Sequence, residues 1–125
     1  MELLVFSPFD AHPTSHHFDG PFSLALQQAV GAEAEVVPGF TSILHNGIIH
    51  RCVAYSHKWG KQNGGPINSW ATALWHMALK REGYEQGLWR TDGTIADWLT
   101  GNVVVVCRSA FNFGSAGDPM PTMLR

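Results

Sequence analysis

Three groups of side chains in this chain have types and spacings that could do chemistry. The first is Lys58-Trp59-Gly60-Lys61-Gln62-Asn63-Gly64-Gly65-Pro66-Ile67-Asn68. Glycines allow close backbone approach, exposed N–H groups and a following helix N-terminus suit an anion, and Lys58 and Lys61 add positive charge. Trp59 beside them is what a stacked base would need. The candidate ligand-binding residues are therefore Lys58, Trp59, Lys61, Asn63 and Asn68. The spacing is not that of a Walker loop, since no Gly-Lys-Ser/Thr opens the helix, and no dinucleotide fingerprint is present. The competing structural reading is a long turn closed by Pro66 and an Asn68 cap.

The second group is the seven histidines: His12, His16, His17, His45, His50, His57 and His76. Zinc needs three or four ligands converging at about 2.0 to 2.3 Å, and no HExxH, Cys-x-x-Cys or His-x-His pattern supplies them. No metal or cofactor site is assigned. A small metal-dependent hydrolase using the histidine-rich loop is carried as the alternative function. The third group is the tryptophans outside apolar helix faces: Trp59, Trp70 and Trp89. Trp and Arg dominate interface energetics, which makes Trp89 and Arg90 candidate partner contacts. For covalent catalysis the chain offers little. Cys52 and Cys107 lie among valines, where thiols resist ionisation, and no serine has a Gly-x-Ser-x-Gly setting. No catalytic residue is assigned.

The elements that must position these groups follow from periodicity. The first strand is Leu3 to Phe6, and residues 8–21, with three prolines, read as a surface loop. Pro21 opens a short helix with Phe22, Ala25, Leu26, Ala29 and Val30 on one face and Gly31 closing it. Strands follow at Ala34 to Val37 and around His45-Asn46-Gly47, where Asn-Gly between apolar pairs marks a hairpin whose second arm runs to Tyr55. Asn68 caps the clearest helix, with Ala71, Leu74, Trp75, Ala78 and Leu79 on its apolar face and Ser69, Thr72, His76 and Lys80 opposite. Trp70 and Met77 outside that stripe imply a helix buried on more than one side. Thr94-Ile95-Ala96-Asp97 has capping-box spacing, predicting a short helix with Ile95, Trp98 and Leu99 inward. Val103 to Cys107 suits a central strand covered on both faces. The tail from Phe111 is rich in Gly and Pro. These elements give a single α+β domain: a mixed or antiparallel sheet of about four to five strands, packed against one long and one or two short helices, the long one covering mainly one face.

The segment Gly60 to Asn68, the helix Ala71-Thr72-Ala73-Leu74-Trp75, and Asp97, Gly101 and the valines resemble a family of small phage and mobile-element proteins catalogued as domain of unknown function 3846. Leu26, Val30 and Gly31 before Glu33 to Val37 match its helix-to-strand passage. The resemblance covers about residues 22–107 and leaves out the N-terminal loop and the tail. Where that family carries acidic residues before its Gly-Lys, this chain has His57-Lys58-Trp59. The resemblance implies a phage or mobile-element setting and assigns no chemistry.

Composition sets the outer bounds. The 125 residues fit one domain, and only 14% are charged, with a net charge of -2, which argues against a nucleic-acid partner. The start lacks a basic region and its apolar run stops at Ser7-Pro8, unlike a secretory signal. No apolar run approaches the roughly 18 residues needed to span a bilayer. Two thiols in strand-like segments fit a reducing cytoplasm. The leading expectation is a small cytoplasmic, non-catalytic binding protein that captures a host protein or a small anionic ligand such as a nucleotide, with self-association left open.

Overall fold

The valine run sits where its composition demands, in the middle of a sheet with a helix on each side. The computed structural model describes residues 2–31, 33–60, 62–83 and 97–107. In chain order these form β1 (Glu2–Phe6), β2 (Thr14–His17), α1 (Phe22–Ala29), β3 (Ala34–Val36), β4 (Ser42–His45), β5 (Ile48–His57), α2 (Ser69–Arg81) and β6 (Val103–Cys107). The strands lie in the order β2-β1-β6-β5-β3, with β4 also on β5, and every pairing is antiparallel. This is an α+β domain. Among the described residues no helix is long and apolar enough to cross a membrane.

Alternation along the sheet sorts its side chains onto two faces. Val103 and Val105 join Leu4, Phe6, Cys52 and Ala54 beneath α2, while Val104 joins Leu3 and Ala25 beneath α1. Val103, Val104 and Val105 are each fully buried, so a strand with no polar alternation is what this position requires. The second face is covered by α1 with Phe18 and Phe22, which gives the valine strand cover on both faces, as its composition predicts. The hairpin is as expected: Asn46 and Gly47 both take positive φ, 51° and 77°, the combination of a two-residue turn whose twist matches its strands. On the edge of β5 away from β6, β3 and β4 form one interrupted strand. Val37 N–H donates to the Ala54 carbonyl and Cys52 N–H to that of Thr41, and the intervening residues bulge out.

Three expectations are corrected. Residues 8–21 are not all loop, because Thr14–His17 pairs with β1, register Glu2 to His17. Its four residues are polar and exposed, so no apolar alternation signals it. Residues 97–100 are extended, not helical, and Trp98 is 38% exposed instead of facing a core; Thr94 to Ala96 lie outside the described residues. Thr72 and His76 are buried instead of solvated. The last two corrections have one cause. Thr72 Oγ1 accepts from the Leu99 N–H at 2.9 Å, and His76 Nε2 donates to the Asp97 carbonyl at 2.7 Å. The polar side of α2 thus holds an extended strap by its backbone, and the strap in turn buries those side chains.

Asn68 ties these pieces together. Its Oδ1 accepts from the Ala71 N–H at 3.1 Å as the cap of α2, and its Nδ2 donates to the carbonyls of Phe6 (2.7 Å) and Gly101 (2.9 Å). Its own N–H donates to Leu99. Replacing Asn68 with Ala removes the cap and leaves two carbonyls without this donor in a fully buried place, a loss of about 3 to 5 kcal/mol. Urea unfolding of Asn68→Ala checks this: a lower midpoint with unchanged slope is expected.

Candidate functional site

Among the described residues, a concave feature lies where the strap passes the end of the sheet. Glu35, Val36 and Val37 of β3 and its extension, Pro38, Ser56 and His57 at the end of β5, Lys58, Trp75 and Leu79 of α2, and Asp97 to Thr100 line a cleft of about 250 Å³. Its walls are mainly apolar. Trp98, 38% exposed, stands at its rim, and the buried Val37 and Leu99 join Trp75 and Leu79 in its wall. The Trp75 indole is fixed by its N–H donating to the Pro38 carbonyl at 2.8 Å. That leaves its carbon face as a wall.

The polar groups at the cleft are held by short local bonds. Trp59 N–H donates to His57 Nδ1 at 3.1 Å, so the neutral imidazole carries its proton on Nε2. Gly31, at φ 121°, lets α1 end against that ring: a Cβ there would lie 2.9 Å from His57 Cδ2. Lys58 is anchored by its backbone N–H to the Glu33 carbonyl at 2.7 Å, and its ammonium lies 5.0 Å from the centre of the Trp59 ring. That cation–π contact leaves the charge at the cleft's edge. Asp97 orders the strap, its Oδ1 accepting from the Trp98 N–H at 2.8 Å.

Of the ligand-binding residues expected from sequence, Lys58 lines the cleft and Trp59 reaches it through Lys58. Asn63 is exposed on the loop, where its N–H donates to the Trp59 carbonyl. Asn68 is buried, with its amide engaged inside the fold, and so does not serve as a surface ligand. Lys61, Trp89 and Arg90 lie outside the described residues. The loop glycines answer to packing. A Cβ on Gly60 would collide with Thr100 Oγ1, and one on Gly65 would sit 2.9 Å from the Gly60 carbonyl oxygen. The N–H groups of Gly60, Asn63 and Gly65 bond within the loop, so they do not form an open phosphate cradle.

The histidines are scattered. His16 and His17 lie on the exposed edge strand β2, His16 bonded to Thr14 Oγ1 at 2.8 Å. His17 stands between Glu2 (2.8 Å) and Asp19 (2.7 Å), each carboxylate on a different ring nitrogen. Those bonds raise the His17 pKa and lower that of Glu2. They pin β2 to β1. His12 packs its ring edge-on against Trp70, and His45 and His50 lie diagonally across the hairpin, rings 6.5 Å apart. Among the described residues no three His, Cys, Asp or Glu side chains are placed to hold a metal ion.

Sequence reasoning missed the contributions of Ser56, His57, Trp98 and the Val36–Pro38 segment. Their convergence depends on the strap being extended, which the capping-box spacing concealed. Comparison with protein-family models, curated proteins and solved structures finds no match to the chain. The resemblance drawn from Gly60 to Asn68 rests on the residues quoted for it.

Burial holds His76 neutral, with its pKa lowered to about 4. The unfolded chain takes up that proton near 6.5, so folding stability is full above 6.5 and declines as pH falls toward 4. Urea midpoints measured across this interval are expected to fall, and His76→Gln, which never titrates, to flatten the dependence.

Proposed function

We propose that this is a small non-catalytic binding protein whose cleft takes a small, flat anionic ligand of the nucleotide type. The reading is supported above all by the apolar slot between Trp98 and the Val36–Pro38 segment, with the Lys58 ammonium at its edge. Ligand sites combine apolar walls with a few fixed polar groups, and here Ser56 and Lys58 supply them. Volume limits the occupant. At about 250 Å³ the cleft lies below the ~300–1,000 Å³ usual for drug-sized ligands, so it suits one ring system with its substituent and not a dinucleotide. Trp98 would stack on the ring, the Ser56 hydroxyl would donate to an acceptor, and Lys58 would leave Trp59 to meet the negative charge.

A second reading, capture of a host protein, is favoured by a different observation. On the α1 side, beyond the reach of that short helix, Leu44, Ile49 and Val53 are 39%, 52% and 42% exposed, and Leu44 and Ile49 are direct partners across the hairpin. Exposed apolar clusters of this kind suit a macromolecular contact. The phage or mobile-element setting implied by the resemblance is compatible with either occupant.

Titration of the purified protein with nucleoside 5′-monophosphates, followed by tryptophan fluorescence, tests the first reading. Saturable quenching is expected, weakened about 5- to 10-fold by Trp98→Ala and by Lys58→Ala, about 1 to 1.4 kcal/mol each. Only the Lys58 contribution should fade in high salt. Absence of saturable quenching would shift the assignment to the Leu44-Ile49-Val53 face.

A further inference from the structure

The two cysteines, 55 positions apart in sequence, are brought directly opposite one another on β5 and β6. Both are free. Directly paired residues of antiparallel strands point to the same face with Cα atoms about 4.5–5.5 Å apart, inside the 4.4–6.8 Å range that a disulfide spans. At that register each thiol perturbs the ionisation of the other. Cys52 is buried beneath α2, its Sγ also 3.9 Å from the Phe40 carbonyl oxygen, while Cys107 is half-buried at the end of its strand. The pair is therefore asymmetric in access: one sulfur can be reached from outside and the other sits behind it.

We propose that Cys52 and Cys107 form a redox-responsive dithiol that a hydroperoxide closes into an intramolecular disulfide. Cys107 is the entry point. Its thiolate sulfur attacks a peroxide oxygen, the O–O bond breaks, and with hydrogen peroxide the departing hydroxide takes up the proton that Cys107 had released, giving one water as the sulfur becomes a sulfenic acid. The Cys52 sulfur then attacks the Cys107 sulfur; an S–S bond forms, the S–O bond breaks, and the hydroxyl departs with the Cys52 proton as a second water. Both sulfurs are oxidised by one electron each and the two peroxide oxygens are reduced. The neighbouring Cys52 thiol lowers the Cys107 pKa, whereas the same neighbourhood together with burial holds Cys52 protonated. Attack therefore begins at Cys107, with Cys52 as the resolving thiol. A disulfide with one sulfur accessible from outside is open to thiol exchange, which suits a reversible switch over a permanent staple. Closure links the two central strands, one of which continues to Ser56 and His57 at the cleft.

The test is oxidation of the full chain with graded hydrogen peroxide, followed by denaturation, alkylation and intact and peptide mass spectrometry. The expected product is a monomer about 2 Da lighter, resistant to alkylation at both sites, with a peptide cross-link between Cys52 and Cys107 that dithiothreitol reverses. Cys52→Ser is expected to accumulate a dimedone-trappable sulfenic acid at Cys107, and Cys107→Ser to react far more slowly. Independent oxidation of either sulfur to sulfinic acid, about 32 Da heavier and without a cross-link, would overturn the proposal. So would disulfide dimers between chains, or thiols that stay alkylatable after peroxide.

Discussion

The fold turns on one buried primary amide. Asn68 offers one acceptor and two donors, and each is used on a different piece of the chain: the first turn of α2, the end of β1 and Gly101, two residues before β6. No other side chain of that size supplies both signs of hydrogen bond from one rigid plane. Because the amide lies in a fully buried position, each unmade bond would carry the desolvation cost of an isolated polar group. The long helix is thereby set at a fixed height over the sheet, and with it the polar side chains Thr72 and His76 that hold the strap.

The strap converts that placement into a cleft. A helix at residues 97–100 would satisfy its own carbonyls; the extended chain instead presents them to α2, and the Asp97 carbonyl takes the His76 imidazole. Trp98 is then turned outward beside the interrupted edge strand, where residues 38–40 bulge away from β5. The cleft is a consequence of two places where regular pairing stops, one at the sheet edge and one in the strap. Binding sites often occupy such places, because interrupted backbone pairing leaves side chains from several elements facing one space.

Much of this architecture is legible in the sequence. Val103 to Cys107 announces a doubly covered strand, Asn46-Gly47 the hairpin, Asn68 and Gly83 the limits of the long helix, because in each case a short-range rule and the tertiary environment agree. The misreadings share a different origin. β2 is polar on both sides and owes its existence to pairing with β1 and to the bond between His17 and Glu2, both of them distant in sequence. The strap has a helix-start spacing that the side chains of α2 override. Lys58 and Trp59 were findable from their loop, whereas His57, Ser56 and Trp98 come together only through packing across 41 positions of sequence. The facing of Cys52 and Cys107 depends on strand register, which spacing does not encode.

Assignment of the cleft as the working site is tested most directly by two-dimensional ¹H–¹⁵N NMR of the uniformly labelled protein as a nucleoside monophosphate is added. Saturating shifts are predicted at the Trp98 indole and at the backbone amides of Ser56, His57 and Lys58, with Leu44, Ile49 and Val53 unmoved. A spectrum that stays unchanged at millimolar ligand, or shifts confined to the Leu44-Ile49-Val53 face, would contradict the assignment.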